Sequence, residues 1–132
     1  MRTLVILAVF FVAGCVYYFG LRRLHFSGAS PMTIDVHIPD VASTNVYQMS
    51  ITNRLACGVI FRELTRARPS FGGSKVAGDL TFHYADGKTD TIYLLPGPYQ
   101  QYTVMRNGTF VVPTNSFFKV LADGGVDLSK IP

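Results

Sequence analysis

The sequence lacks the short motifs that define many catalytic and metal centres. It contains no HExxH pair of histidines, no CxxC pair of cysteines and no GxSxG nucleophile turn. The glycine-rich stretch Gly72–Lys75 lacks the Gly-Lys-Ser/Thr ending of a phosphate-binding loop, and a surface loop explains it. These absences argue against the enzyme classes that the motifs mark. We therefore expect a protein that is not an enzyme and that needs no cofactor.

Most of the chain also lacks an excess of charge, although its net charge is +4. Three of the twelve basic residues, Arg2, Arg22 and Arg23, flank the apolar N-terminus. From Phe26 onward, nine Lys and Arg residues are matched by eight Asp and Glu residues. A nucleic-acid-binding domain needs a basic stripe on its folded part, so no nucleic-acid partner is expected.

What the chain does have is an uncharged run of nineteen residues, Thr3–Leu21, between Arg2 and Arg22. A helix of that length rises about 1.5 Å per residue and covers roughly the 30 Å hydrocarbon core of a bilayer. Tyr17–Phe19 lies near its end, where aromatic side chains favour the membrane interface. Residues 1–24 are therefore predicted to be a membrane anchor or signal segment, with a transmembrane signal-anchor as the first interpretation.

Two other interpretations of this run stay open. Val12–Cys15 resembles a bacterial lipobox, in which Cys15 would be lipidated and would become the mature N-terminus. Alternatively, an ordinary signal peptide would be cleaved near Ala13–Gly14. All three interpretations bring the chain to a membrane. We expect the following domain on the extracytoplasmic side, because a short charged N-terminus before a long domain is typical of exported domains.

The rest of the chain reads as a short turn-rich linker, 25–31, and a single globular domain, 32–132. Alternating apolar and polar residues predict strands over Met32–Ile38, Val46–Ile51, Asp79–Ala85, Lys88–Leu95 and the hairpin Gln101–Val112. A capped amphipathic pattern predicts one helix from Asn53 to about Arg68 and another over Phe117–Ala122. This order favours the α+β class, with an antiparallel sheet of four to six strands and two helices packed on one face.

The turns predict how the two hairpins are paired. A three-residue loop, Ala85–Gly87, keeps Leu80 and Ile92 on one face of the sheet and places Gly87 in the left-handed region. Asn107–Gly108 is the signature of a type I′ turn, which pairs Met105 with Phe110.

Three polar residues on the strands are candidates for a site. Asp35 and His37 share the polar face of the first strand, and His83 lies on the polar face of another. If those strands are neighbours, the three side chains converge as a metal or acid–base site. Alternation alone also explains them as solvated sheet residues. A small envelope enzyme or metal-binding protein is therefore the alternative function.

Basic residues are concentrated around the first domain helix. Arg54, Arg62, Arg66 and Arg68 fall in one segment that contains a single acid, Glu63. On a domain held close to a bilayer, such a face can bind anionic headgroups or an acidic partner, although a solvated helix face is the plainer explanation. An anionic-lipid surface sensor using Arg62 and Arg66 is thus a further alternative.

The sequence as a whole predicts a membrane-anchored extracytoplasmic domain that works as a non-enzymatic binding or interaction module. Its expected partners are the membrane and another protein or envelope component.

Overall fold

The computed structural model describes residues 1–17, 23–39, 45–70, 72, 75–96 and 102–131. Within these residues the chain forms three α-helices and one seven-stranded antiparallel sheet, which confirms the α+β class. The helices are α1 (Arg2–Val16), α2 (Arg54–Thr65) and α3 (Asn115–Asp123), and a short 3₁₀ helix spans Leu128–Lys130. The strands are β1 (Thr33–Pro39), β2 (Val46–Ile51), β3 (Arg68–Pro69), β4 (Gly78–His83), β5 (Thr89–Pro96), β6 (Tyr102–Arg106) and β7 (Thr109–Val112).

The strands lie in the order β2-β1-β4-β5-β6-β7-β3, and both hairpin predictions are confirmed. Leu80 pairs with Ile92 across the three-residue loop between β4 and β5, where Gly87 has a φ of +83°. In the β6–β7 turn, Asn107 and Gly108 both have positive φ, at 49° and 75°, as a type I′ turn requires.

α2 ends three residues earlier than the sequence predicts. It begins after Asn53, whose side-chain oxygen accepts two backbone N–H groups of the first turn, and it ends at Thr65. The residue before a proline is sterically biased away from the helical conformation. Arg68–Pro69 instead pairs with β7 as the edge strand β3. That pairing brings the sheet to seven strands, where four to six were predicted.

One face of the sheet is covered by α2, by α3 and by the segment that precedes β1. The largest fully buried side chains, from both the sheet and the helices, are Ile34, Val36, Ile38, Ile51, Ile60, Leu64, Leu80, Phe82, Ile92, Leu94, Phe117 and Leu121. We call the opposite face the open face, because no helix of the described residues covers it.

The segment predicted to be a linker is packed on the domain. Pro31 is buried, and so is Leu24, the last residue of the predicted anchor segment. The ring of Phe26 lies 4.8 Å from the ring of Phe61 in α2 and 5.6 Å from that of Phe82 in β4. Leu24 and Phe26 therefore pack as part of the same core as the sheet and α2.

α1 contributes nothing to that core. None of its residues is buried, and its nine large apolar side chains are 54–73% exposed: Leu4, Val5, Ile6, Leu7, Val9, Phe10, Phe11, Val12 and Val16. α1 has 15 residues, and no helix in the described ranges is both long and apolar enough to cross a membrane. Residues 18–21, which complete the predicted span, lie outside the described residues, as does Arg22.

Candidate functional site

Two aspartate–histidine pairs lie side by side on the open face. Asp35 Oδ2 is 2.7 Å from His83 Nε2, and His37 Nδ1 is 3.1 Å from Asp79 Oδ2. The register explains both pairs, because β1 and β4 are neighbours. His37 lies directly opposite Asp79, whereas Asp35 is diagonal to His83.

The three residues proposed from the sequence therefore divide between two pairs. The structure brings Asp35 and His83 into contact, and it places His37 against Asp79, which the sequence did not single out. In the described part of the chain, no three His, Cys, Asp or Glu side chains are placed to hold one metal ion. Both histidine side chains are 40% exposed, so the pairs are open to solvent.

Ser50 extends the first pair into a row of three side chains. Its hydroxyl donates to Asp35 Oδ1 at 2.6 Å, on the side away from His83. This hydrogen bond, with a smaller contribution from His83, holds the pKa of Asp35 below its ordinary 3.8 despite partial desolvation. In a Ser-His-Asp triad the histidine stands in the middle and takes the serine proton. Here the aspartate stands in the middle, so His83 is not placed to activate Ser50.

A second polar cluster lies under the helix-covered face, around Asp90. The side chain of Asp90 is fully buried. It accepts hydrogen bonds from the Ser27 backbone N–H at 2.7 Å, the Ser27 hydroxyl at 2.6 Å, the Tyr84 hydroxyl at 2.7 Å and Arg106 Nη2 at 2.6 Å. We call these four residues the Asp90 clasp. Burial alone would raise the pKa of Asp90, but the bonds from Ser27, Tyr84 and Arg106 outweigh it and the pKa is lowered. The clasp therefore contains a carboxylate at neutral pH.

Arg106 ties the same cluster to the segment that follows the N-terminal helix. Its Nε donates to the carbonyl oxygen of His25 at 2.8 Å, and its guanidinium carbon lies 5.8 Å from the centre of the Phe26 ring. Burial, and then the hydrogen bond to Asp90, raise the pKa of Tyr84, so its hydroxyl stays a donor. The clasp thus fastens residues 25–28 to β5 and β6.

The inward parity of Asp90 and Arg106 indicates this buried cluster from the sequence, although neither residue was singled out as a candidate. The predicted register places Leu80, Phe82 and Ile92 on the inner face, and Asp90 has the same parity as Ile92. Arg106 likewise follows buried Val104 by two residues. Two opposite charges of inward parity on neighbouring strands indicate a buried ion pair.

The predicted basic surface separates into two parts. Arg54 and Arg62 are exposed on α2 and Arg66 is exposed at its C-cap, and none of them takes part in an ion pair among the described residues. Arg68 lies on the edge strand β3, in register with Val112. Because neighbouring residues of a strand point to opposite faces and Val111 is buried, Arg68 belongs to the open face.

Cys15, the residue proposed for lipidation, lies in the last turn of α1. Its thiol is free and partly exposed. The structure does not test the modification, which stays a prediction.

Comparison with protein-family models, with curated proteins and with solved structures found no match to this chain.

Proposed function

We propose that this chain is a membrane-attached protein whose α+β domain is held at the extracytoplasmic surface and acts there as a non-enzymatic binding module. The observation that carries the proposal is α1, which is apolar on every side and has no buried residue. A helix on the surface of a soluble domain buries an apolar stripe and shows a polar face to water. A helix that is apolar all round needs an apolar environment all round, and lipid supplies one.

The anchor in this proposal is the whole uncharged run 3–21, of which α1 is the described part. Acylation of Cys15 is the alternative form of attachment. Either form would hold the domain close to the bilayer. Val16 and Leu24 are eight residue steps apart, so the domain would begin within about 29 Å of the end of α1.

The open face supports a binding role better than a catalytic one. Each histidine on it is engaged by an aspartate, and Ser50 donates to Asp35 instead of to a histidine. Tyr93 on the same face is 37% exposed. Half-exposed Tyr and His side chains on an uncovered sheet offer both apolar area and hydrogen bonds to a partner protein.

Alkaline carbonate extraction of native membranes tests the attachment. Wild-type protein should stay in the membrane pellet. The variant Leu7→Lys/Val12→Lys should be released, because each lysine at the centre of a span costs about 3 kcal/mol. The control, Val76→Lys/Thr89→Lys, adds the same two charges to exposed domain positions and should stay in the pellet. Wild-type protein that is released as an intact, unmodified chain would refute the proposal. The mass of the mature N-terminus then tells a retained anchor from an acylated Cys15 or a cleaved chain.

One observation favours the alternative, a metal-binding protein or small envelope enzyme. Asp35 and His83 are in direct contact, are about half exposed and have His37 nearby on the same face. Metal analysis of purified wild-type protein, His83→Ala and the control His25→Ala decides between the two functions. Stoichiometric metal that is lost only in His83→Ala would replace our proposal with the alternative.

A further inference from the structure

α2 carries an exposed stripe that combines apolar and cationic side chains. Leu55, Val59, Arg62 and Arg66 follow one another at intervals of four, three and four residues, so they lie on the same side of the helix. Leu55 is 82% exposed and Val59 is 38% exposed, and both arginines are exposed. We call these four residues the α2 stripe.

The positive charge of the α2 stripe is not neutralised by the domain. Neither Arg62 nor Arg66 forms an ion pair within the described residues. Glu63, the one acidic residue of α2, accepts hydrogen bonds from Thr114 and, at 3.1 Å, from Ser116 at the start of α3. Its carboxylate therefore faces α3 and forms no ion pair with Arg62 or Arg66 among the described residues.

The segment that would follow the proposed anchor packs against α2. Phe61 immediately precedes Arg62, and its ring is 4.8 Å from the ring of Phe26. Phe26 belongs to the segment that the Asp90 clasp fastens to the domain. The side of α2 that carries Phe61, about 100° around the helix from Arg62, is thus packed against the segment that would follow the anchor.

We propose that the α2 stripe docks on the anionic surface of the membrane that holds the anchor. The two arginines would pair with lipid phosphates, and Leu55 and Val59 would enter the interfacial region. Helices that combine cationic and apolar side chains bind bilayer surfaces in this way. An acidic partner protein is the competing occupant, and it predicts no response of α2 to anionic lipid. This inference rests on the proposed membrane attachment, since the anchor keeps α2 near the surface.

The chain contains no tryptophan, so a single tryptophan can report on the stripe. The full-length Leu55→Trp protein is reconstituted into vesicles of phosphatidylcholine alone or of phosphatidylcholine mixed with phosphatidylserine. In the anionic vesicles we expect a blue shift of the tryptophan emission and quenching by brominated lipid. In neutral vesicles we expect neither effect. The control Val46→Trp places the reporter at a 45% exposed position on β2, and it should show neither effect in either lipid.

Removal of the two charges tests the mechanism of docking. Arg62→Gln/Arg66→Gln in the Leu55→Trp chain should lower the ratio of docked to undocked domain roughly 30-fold, which corresponds to about 1 kcal/mol for each charge near an anionic surface. The matched control Lys119→Gln/Lys130→Gln removes two exposed charges outside the stripe and should leave the emission shift unchanged.

The outcomes separate the two proposals. If the Leu55→Trp protein co-sediments with both kinds of vesicle but its tryptophan stays in water, or is shielded equally in both lipids, docking by charge is refuted and the membrane attachment stands. An emission shift that survives the double arginine change also refutes it. If the protein associates with neither kind of vesicle, both proposals fail.

Discussion

Removal of the carboxylate of the Asp90 clasp should be among the most destabilising single changes in this domain. Asp90→Ala takes away the acceptor of four hydrogen bonds at once. Arg106, whose side chain is 14% exposed, would keep the carbonyl oxygens of His25 and Thr91 as hydrogen-bond acceptors among the described residues but would lose its counter-charge. Breaking a buried ion pair by removing one member costs about 3–5 kcal/mol, because the other charge remains buried.

The hydroxyl of Tyr84 would lose its acceptor as well, and an unsatisfied buried donor costs about 1–3 kcal/mol. The two penalties overlap because they concern one network, so we expect a total loss of about 4 kcal/mol. Domains of this size are stable by about 5–15 kcal/mol. The variant should therefore lose a large part of its free energy of unfolding.

Urea denaturation of the full-length protein in detergent, followed by circular dichroism, measures this loss. Hydrogen exchange of residues 24–31 should increase in Asp90→Ala, because Ser27 loses both of its bonds to the carboxylate. The matched control is Asp86→Ala in the preceding turn. Asp86 and Lys88 are both more than half exposed and 3.7 Å apart, and such a pair contributes at most about 1 kcal/mol.

The double variant Asp90→Leu/Arg106→Met distinguishes the cost of leaving a buried charge unpaired from the cost of lost side-chain packing. Because it removes both charges, it should recover part of the stability that Asp90→Ala loses. The Asp90 clasp does not stabilise the domain if Asp90→Ala is no less stable than Asp86→Ala, or if exchange in residues 24–31 does not change.

Four further variants test acid stability, close contacts at glycine positions and helix capping. The urea denaturation midpoint of each is compared with that of the wild-type protein. Because the pKa of Asp90 is lowered in the folded state, its ionised form stabilises the fold above pH 3.8, the ordinary pKa. This stability is lost as the pH falls through the lower pKa of the folded state. Asp90→Asn should therefore flatten the acid side of the plot of unfolding free energy against pH. Gly28→Ala should cost about 1–3 kcal/mol, since its Cβ would lie 2.3 Å from a ring carbon of Tyr84. Gly58→Ala should instead add up to about 1 kcal/mol, because a Cβ there meets no atom within 4 Å; a loss would contradict the helix geometry. Asn53→Ala should cost about 1 kcal/mol by removing the cap of α2, and an unchanged midpoint would show that the cap contributes nothing.

The hairpins could be predicted from sequence because their turns are local. Asn107 and Gly108 can both adopt positive φ, and the resulting two-residue turn leaves one register. The three-residue turn at Gly87 follows in the same way from the parity of the flanking apolar residues. In both cases neighbouring residues contain all the information that the pairing needs.

The candidate site could be predicted only in part, because alternation assigns a face but not a neighbour. Asp35, His37 and His83 were correctly placed on one polar face. Their partners depend on the pairing of β1 with β4, which are separated in the chain by β2, α2 and β3. Strand β3 escaped prediction for a similar reason. A two-residue strand has no pattern of its own and forms only because the edge of β7 is available.

The linker interpretation shows a different limit. Residues 25–31 are rich in turn-forming residue types, which is typical of connecting segments. Their role comes from distant groups, since Phe26 packs on Phe61 and Phe82 and Ser27 bonds to Asp90. The composition of a segment reflects its local conformational preference, whereas its burial depends on the residues of other elements that pack against it.

The docked segment determines where this protein can be divided. A fragment cut at Met32, the boundary that the sequence suggests, would lack Leu24, Phe26 and Ser27 and would leave Asp90 with two of its four donors. A fragment that starts at Arg23 would keep the whole clasp. A preparation of the domain without α1 should therefore be cut ahead of Leu24, because Leu24, Phe26 and Ser27 pack and hydrogen-bond as part of the domain.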